Sequence, residues 1–254
     1  MKIWPIFKKE MRLYFTSPVA WVIIAVFLFL AGLMFYAAVG YYTRASMQAQ
    51  MNPMGGGLNV NDGILRPLFS NFFIILLLMM PLVTMRLFAE EQRSGTLELL
   101  LTYPVRDGAV LLGKFFAAVT LYTVMIALTL LYPVMLWYFA PIEWGMVLTG
   151  YMGLLMLGMT YIAVGVFASS LTENQIVAAL VSFGVLLTFW LVGWLSDLAD
   201  PMVARLLQHL SLPEHNDSFA KGVFETKDVI FYVNFTLVAL FLALRSLEAR
   251  RWKG

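Results

Sequence analysis

Six long apolar stretches constrain the fold of this chain more than any other feature of its sequence. They cover residues 19–42, 68–88, 109–139, 146–170, 176–195 and 229–247. A helix needs about 20 mostly apolar residues to cross the hydrocarbon core of a bilayer. Only 13% of the 254 residues are charged, whereas a soluble domain carries about 25%. We therefore predict an all-α polytopic membrane protein with six transmembrane helices, in which residues 1–254 form a single transmembrane domain.

The segments between these stretches differ in character. Residues 43–66 are rich in Gly, Asn, Gln and Met, which is typical of a flexible loop. Residues 196–228 contain leucines near helical spacing and predict a pair of short helices on the outer, periplasmic surface. Pro133 lies inside the third apolar stretch and predicts a kink there, because proline lacks a backbone N–H and crowds the preceding turn.

The distribution of Lys and Arg predicts the orientation of the chain. If the N-terminus is inside, the inner segments hold 12 of the 17 basic residues and the outer segments hold the remaining 5. Inner segments of membrane proteins carry an excess of Lys and Arg. The sequence therefore favours both termini in the cytoplasm, as an even number of spans requires.

Residues 1–18 precede the first apolar stretch and predict an interface helix. The apolar residues of this segment recur near helical spacing, from Ile3 to Tyr14. Lys8, Lys9 and Arg12 lie on other faces of the same helix. We expect it to lie on the inner membrane surface, with its basic side chains toward anionic head groups.

Residues 89–105 form an island of charge between the second and third apolar stretches. A helix here would place Glu90, Glu91, Arg93 and Glu98 away from its apolar side, and the sequence Ser-Gly-Thr at 94–96 would interrupt it. One interpretation is an interfacial helix that covers the inner ends of the spans. The other is a helix that receives force from a soluble partner protein.

Two candidate sites are disfavoured by their residues. Gly108–Phe115 nearly matches the phosphate-binding loop G-x-x-x-x-G-K-[ST], but Phe115 cannot supply the hydroxyl that binds magnesium. Lys114 is better interpreted as a residue that extends its amine toward the inner interface, so ATP hydrolysis by this chain is not expected. His209 and His215 fit no zinc spacing, which favours a polar turn over a metal site.

The apolar stretches contain almost no ionisable residue. Ion-coupled transporters carry charged groups at such positions, and channels need polar rings. A hydroxyl nucleophile needs a neighbouring base, and the chain has no cysteine for thiol chemistry. The net charge of +2 and the absence of basic blocks with interleaved aromatics give no indication of nucleic-acid binding. Energy for any transport is therefore expected from outside the bilayer.

Small residues recur in the third, fourth and fifth apolar stretches. Gly158 and Gly165 are seven residues apart and fall on one face of a helix. This spacing fits either close helix packing within one subunit or a dimer interface.

Two sequence motifs resemble those of a known family. The stretch E-x-R-S-G-T-L-E-L-L-L-T-x-P-V over residues 91–105, followed by Gly113-Lys114, resembles the membrane subunits of type-2 ATP-binding-cassette (ABC) exporters. The stretch K-K-E-x-x-x-Y-F-x-S-P over residues 8–18 is similar to the interface helix of that family. Residues 214–228 and 245–252 resemble a narrower group, the GldF-like permeases of gliding-motility type.

The resemblance implies a permease subunit of the bacterial inner membrane whose ATPase activity, with bound ATP and Mg, resides on two copies of a separate ATPase subunit. Residues 89–105 would be the coupling helix that docks into this subunit. The second permease half would be an identical chain or a GldG-like chain with a large periplasmic domain. By position, the ATPase contact would comprise Glu90, Glu91, Arg93, Gly95, Thr96 and Glu98, supported by Lys8, Lys9, Glu10 and Arg12. The family shares no cargo motif.

The alternative function is a membrane scaffold or mechanotransmission subunit that recruits an ATPase and a periplasmic partner without transport.

Overall fold

The computed structural model describes residues 3–51, 59–96, 106–196 and 198–251, and every regular element in these ranges is a helix. We number the α-helices in chain order. They are α1 (Ile3–Thr16), α2 (Pro18–Met51), α3 (Arg66–Thr84), α4 (Arg86–Arg93), α5 (Asp107–Thr129), α6 (Leu131–Phe139), α7 (Trp144–Leu171), α8 (Gln175–Ser196), α9 (Pro201–Leu210), α10 (Leu212–Ala220) and α11 (Thr226–Arg251). A π-helical turn, Asn61–Leu65, leads into α3.

Six segments are long and apolar enough to cross a membrane, and all six predicted spans are confirmed. Their bounds are Pro18–Ala49, Asn61–Arg93, Asp107–Phe139, Trp144–Leu171, Gln175–Ser196 and Thr226–Ala249. The second and fourth are mostly buried by other helices, whereas the first, fifth and sixth leave most of their surface uncovered. The chain is therefore an all-helical multi-pass membrane protein built around α3 and α7.

Helix α7 comes close to its neighbours at glycines. A β-carbon at Gly158 would overlap the ring of Tyr122 on α5, and one at Gly165 would overlap the side chain of Thr84 on α3. The Tyr122 hydroxyl also donates a hydrogen bond of 2.5 Å to the Leu154 carbonyl. The glycine face predicted from residues 158 and 165 thus packs against helices of the same chain, which agrees with the first of the two interpretations.

The predicted kink in the third span is confirmed, and its position follows from proline geometry. The span breaks at Leu130, between α5 and α6, three residues before Pro133. The proline ring would clash with the carbonyl of the residue four positions earlier, Thr129, and Pro133 cannot donate to it. The helix therefore ends at Thr129 and restarts at Leu131.

The predicted loop over residues 43–66 is wrong over much of its length. Helix α2 continues to Met51, and the π-helical turn begins at Asn61. Residues 43–51 are mainly Ala, Met, Gln and Arg, which are strong helix formers. The glycines at 55–57, on which the prediction depended, lie outside the described residues.

The predicted helix pair between the fifth and sixth spans is confirmed as α9 and α10. Arg66 donates a 2.9 Å hydrogen bond to Asp217 on α10, and His215 Nδ1 lies 2.6 Å from Asp228 Oδ1 at the start of α11. The other ring nitrogen of His215 lies 3.2 Å from the His209 carbonyl oxygen. Both imidazole nitrogens are therefore occupied by protein atoms, and the described residues contain no group of three or more metal-ligating side chains.

Candidate functional site: a charge cluster beneath α4

Four charged side chains from three helices meet at the end of the bundle that carries α1 and α4. Lys114 Nζ on α5 lies 2.9 Å from Glu10 Oε1 on α1 and 3.0 Å from Glu91 Oε1 on α4. Lys9 Nζ lies 2.9 Å from the same Glu91 oxygen and 3.7 Å from Glu10 Oε1. We call Lys9, Glu10, Glu91 and Lys114 the charge cluster. It joins three helices that are far apart in sequence.

Burial makes this cluster more than a surface ion pair. The side chains of Lys114, Glu10 and Glu91 are 2%, 8% and 15% exposed, while that of Lys9 is 52% exposed. The Lys114 amine also lies 5.3 Å from the centre of the Phe88 ring, a favourable cation–π contact. Burial alone lowers the pKa of Lys9, but its hydrogen bond to Glu91 and the charges of Glu91 and Glu10 raise the pKa above its ordinary value.

The position of Lys114 corrects the sequence interpretation. Its amine does not extend to water but is buried and paired with Glu10 and Glu91. The approach of α1 explains this burial, because Ile6 packs over Gly113, where a β-carbon would lie 2.8 Å from Ile6 Cγ2. The near-match to a phosphate loop is helical throughout, since α5 begins at Asp107.

The helix breaks at Met85, between α3 and α4, where a serine of α7 bonds to its backbone. The Ser169 hydroxyl donates to the Met85 carbonyl at 3.0 Å and accepts from the N–H groups of Phe88 and Ala89, each at 3.0 Å. In a continuous helix, the Ala89 N–H would bond to the Met85 carbonyl. A side chain inserted into this ladder is a recognised cause of a kink. At this break, Ser169 of α7 takes the place of the missing bond between the Ala89 N–H and the Met85 carbonyl.

A second contact joins the last turn of α4 to α7, at the residue that follows Ser169. The Gln92 side chain donates to the Ser170 carbonyl at 3.0 Å, and Ser246 of α11 donates to that carbonyl at 3.2 Å. Displacement of α4 would therefore be transmitted to α7 through hydrogen bonds, and to α1 and α5 through the charge cluster.

Helix α4 ends in a glycine turn with exposed polar side chains. Gly95 has φ +68°, a left-handed conformation in which glycine avoids the steric strain of a β-carbon. Its N–H donates to the Gln92 carbonyl at 3.1 Å, and the hydroxyls of Ser94 and Thr96 lie 2.8 Å apart. The predicted interruption at Ser94-Gly95-Thr96 is confirmed as the end of α4.

A family comparison accounts for this architecture. Residues 4–249 match the family model of the ABC-2 family transporter protein. The chain belongs to the ABC-2 transporter family. The membrane domain of this family is the transmembrane component and not the catalytic one, and the family implies an ABC ATPase as a partner. No curated protein matches the chain.

The residues that the exporter resemblance assigns to ATPase contact fall into two groups in this ABC-2 protein. Glu10, Glu91 and Lys9 belong to the charge cluster and are held by other residues of the chain. The second group is exposed at the same end and comprises Lys8, Arg12, Glu90, Arg93, Gly95 and Thr96. Glu98 and the rest of the predicted coupling helix, residues 97–105, lie outside the described residues.

Sequence reasoning missed three residues of this ABC-2 permease that shape the site: Lys114, Ser169 and Tyr14. The recurrence of Gly113-Lys114 in the family motif was a signal for the first of them. Ser169 carried no signal, because a serine in a span ordinarily bonds its own helix. Tyr14 was assigned only to the apolar side of the interface helix.

A cavity of about 390 Å³ adjoins the charge cluster. It lies between α1, the start of α2, the end of α3 and α4, and Tyr14 lines it together with Glu91 and Arg86. Burial and the nearby Glu10 carboxylate raise the pKa of Tyr14, while Arg86 lowers it. The Tyr14 phenol is therefore neutral at physiological pH. The lining of the cavity includes both apolar and polar side chains.

Proposed function

We propose that the chain is the permease half of an exporter-type ABC transporter in a bacterial inner membrane. It would pair with a second half, either an identical chain or a GldG-like chain with a large periplasmic domain. ATP and Mg would be bound and used by two copies of a separate ATPase subunit. The observation that carries the proposal is the attachment of α4 to three other helices beside an exposed polar turn.

The mechanism follows from how α4 is attached. ATP binding would bring the two ATPase subunits together and displace the segment that contacts them. Ser169 would pass this displacement to α7, the most buried span, and the ion pairs of Glu91 would pass it to α1 and α5. Nucleotide drives the change only if it binds one conformation better than the other. The two halves would then tilt to open a path for the cargo.

The burial of individual residues refines the proposed ATPase contact. Glu90, Arg93, Gly95 and Thr96 are exposed at the end of α4 and would touch the ATPase directly, as would Glu98 in the following segment. Lys8 and Arg12 would support them from α1. Glu10, Glu91 and Lys9 would act indirectly, by fixing the position of α4 relative to α1.

Charge reversal at the exposed end of α4 tests the contact. The Glu90→Lys, Arg93→Glu double variant keeps the net charge and leaves the charge cluster intact. We expect it to lose co-purification with an ABC ATPase from native membranes, identified by mass spectrometry, and to lose stimulated ATP hydrolysis. Arg205→Glu, an exposed arginine on α9, is the matched control and should keep both.

Retention of the ATPase and of its stimulated hydrolysis by the double variant would contradict the proposed contact. The scaffold alternative predicts a different result. In that case the ATPase would hydrolyse ATP at the same rate alone and in complex with this chain, because a scaffold recruits the ATPase without being driven by it.

A further inference from the structure

The cavity beside the charge cluster has the chemistry of a lipid site. Part of its lining is apolar, and Leu13, Val19 and Leu82 in that part are 51%, 40% and 41% exposed at the protein surface. The lining also includes Tyr14, Glu91 and Arg86. An apolar wall that continues onto the exposed surface of membrane helices, next to charged groups, matches a molecule with acyl chains and a polar head.

Two side chains that line this cavity each carry a buried polar atom with no hydrogen-bond partner among the described residues. They are the hydroxyl oxygen of Tyr14 and the Oε2 atom of Glu91. Both lysines of the charge cluster bind the other oxygen of Glu91, Oε1. A buried polar atom without a partner costs about 1–3 kcal/mol, so turning these two side chains toward a ligand that satisfies both atoms is favoured.

The charges around the cavity select the kind of head group. The cationic groups that line it are already paired, Lys9 and Lys114 with Glu91 and Arg86 with Glu90 at 3.0 Å. A purely anionic head group would meet these paired cations and a free carboxylate oxygen. A head group with N–H donors instead complements Glu91 Oε2, and a phosphate beside it can accept from the Tyr14 hydroxyl.

We propose that this cavity binds an aminophospholipid through its primary ammonium and phosphate groups. The ammonium donates to Glu91 Oε2, the phosphate accepts from Tyr14, and the acyl chains follow the apolar wall past Leu13 and Leu82. The occupied site lies between the interface helix and α4. A bound lipid therefore fills the space that the charge cluster leaves between these two helices.

The test compares head groups on the purified full-length chain. The protein is exchanged into detergent with equal mole fractions of phosphatidylethanolamine, phosphatidylcholine and phosphatidylglycerol, and the retained lipid is measured by native mass spectrometry. Phosphatidylcholine has the same net charge as phosphatidylethanolamine but no N–H donor. We expect phosphatidylethanolamine to be retained over both others. Equal retention of the three lipids, or preference for either competitor, would overturn the proposal.

Variants locate the site. Tyr14→Phe removes one hydroxyl and should weaken phosphatidylethanolamine retention about ten- to hundredfold, the factor of one hydrogen bond to a charged group. Tyr36→Phe, at an exposed tyrosine on α2, is the control and should have no effect. Ala20→Leu fills the cavity from α2, where Ala20 is 3% exposed, and should abolish selective retention. Unchanged retention in both cavity variants would place the lipid elsewhere and refute the site.

A soluble amine is the competing source of the same chemistry. Addition of phosphoethanolamine, which lacks acyl chains, should not displace the bound lipid at millimolar concentration. Displacement would contradict a lipid site and assign the cavity to a soluble ligand. The assay needs neither ATP nor an ATPase, so its result is independent of the proposed transport function.

Discussion

Of the residues at the site, Lys114 is expected to contribute most to the stability of the fold. Lys114→Met keeps the length of the side chain but leaves Glu10 and Glu91 buried with only the half-exposed Lys9 as a partner. Removal of one partner from a buried ion pair costs about 3–5 kcal/mol. We expect a large fall in thermal stability, measured on the detergent-solubilised protein by loss of monodisperse protein on heating.

A double variant separates charge from packing. Lys114→Met combined with Glu10→Gln removes one buried carboxylate together with the amine, and should recover part of the lost stability. Lys8→Met, at an exposed lysine on the same helix as Glu10, should leave stability unchanged. If Lys114→Met is as stable as the wild type, the cluster does not hold the three helices together.

The roles of these residues illustrate the limit of sequence reasoning at this scale. Lys114 stands at the start of an apolar span, and such a lysine ordinarily reaches water. Its partner Glu10 is 104 positions away in sequence, and only the packing of α1 on α5 brings them together. The same packing buries Glu10 and Glu91, which the sequence would place with the exposed charges.

At the scale of elements, the helix break between α3 and α4 is predicted to depend on Ser169. In Ser169→Ala, the buried N–H groups of Phe88 and Ala89 lose their acceptor, and α4 loses a contact with α7. We expect faster deuterium uptake over residues 86–93 in hydrogen-exchange mass spectrometry. Ser70→Ala, which removes an exposed hydroxyl bonded within α3, should leave uptake unchanged. Equal uptake in the wild type and Ser169→Ala would mean that the hydroxyl does not stabilise the start of α4.

A substitution in the turn after α4 tests whether the geometry of this turn is needed for coupling to the ATPase. Gly95→Ala places a β-carbon at φ +68°, which costs about 1–2 kcal/mol locally. We expect the turn to shift and ATPase stimulation in the reconstituted complex to fall, with little change in global thermal stability. Gly108→Ala is the matched control, because it lies in the first turn of α5 with open space around it, where alanine favours the helix. A Gly95→Ala complex with full stimulation would show that the turn geometry is not needed for coupling.

The elements themselves were largely predictable, for a physical reason. A bilayer requires long apolar helices, so length and composition alone identified all six spans, while helical spacing predicted the helix α1. Proline stereochemistry also predicted the break before Pro133. The extension of α2 to Met51 was missed because it contains polar residues beyond the apolar run, and only helix propensity favours it. The helix break beside Ser169 could not be predicted, since the hydrogen bonds there join two spans.

At the scale of the whole molecule, the arrangement of charge distinguishes the two ends of the bundle. The end with α1 and α4 carries the charge cluster and the exposed polar turn, whereas the opposite end carries α9, α10 and the pairing of Arg66 with Asp217. The pKa of Asp217 is held below its ordinary range despite partial burial, because Lys221 and Arg66 bond to it. An ATPase can drive the end with α1 and α4, as proposed, only if that end faces the cytoplasm.

This orientation can be tested directly because the chain contains no cysteine. Arg106→Cys, at the start of α5, and Arg205→Cys, on α9, each introduce one exposed thiol at opposite ends of the bundle. The excess of basic residues near α1 and α4 predicts that this end stays inside. A maleimide that cannot cross the membrane should therefore label Arg205→Cys in intact spheroplasts, and Arg106→Cys only after the membrane is permeabilised. The cysteine-free wild type gives the background. Labelling of Arg106→Cys in intact spheroplasts would place α4 on the outer side, where no ATPase could reach it, and would overturn both the orientation and the proposed coupling.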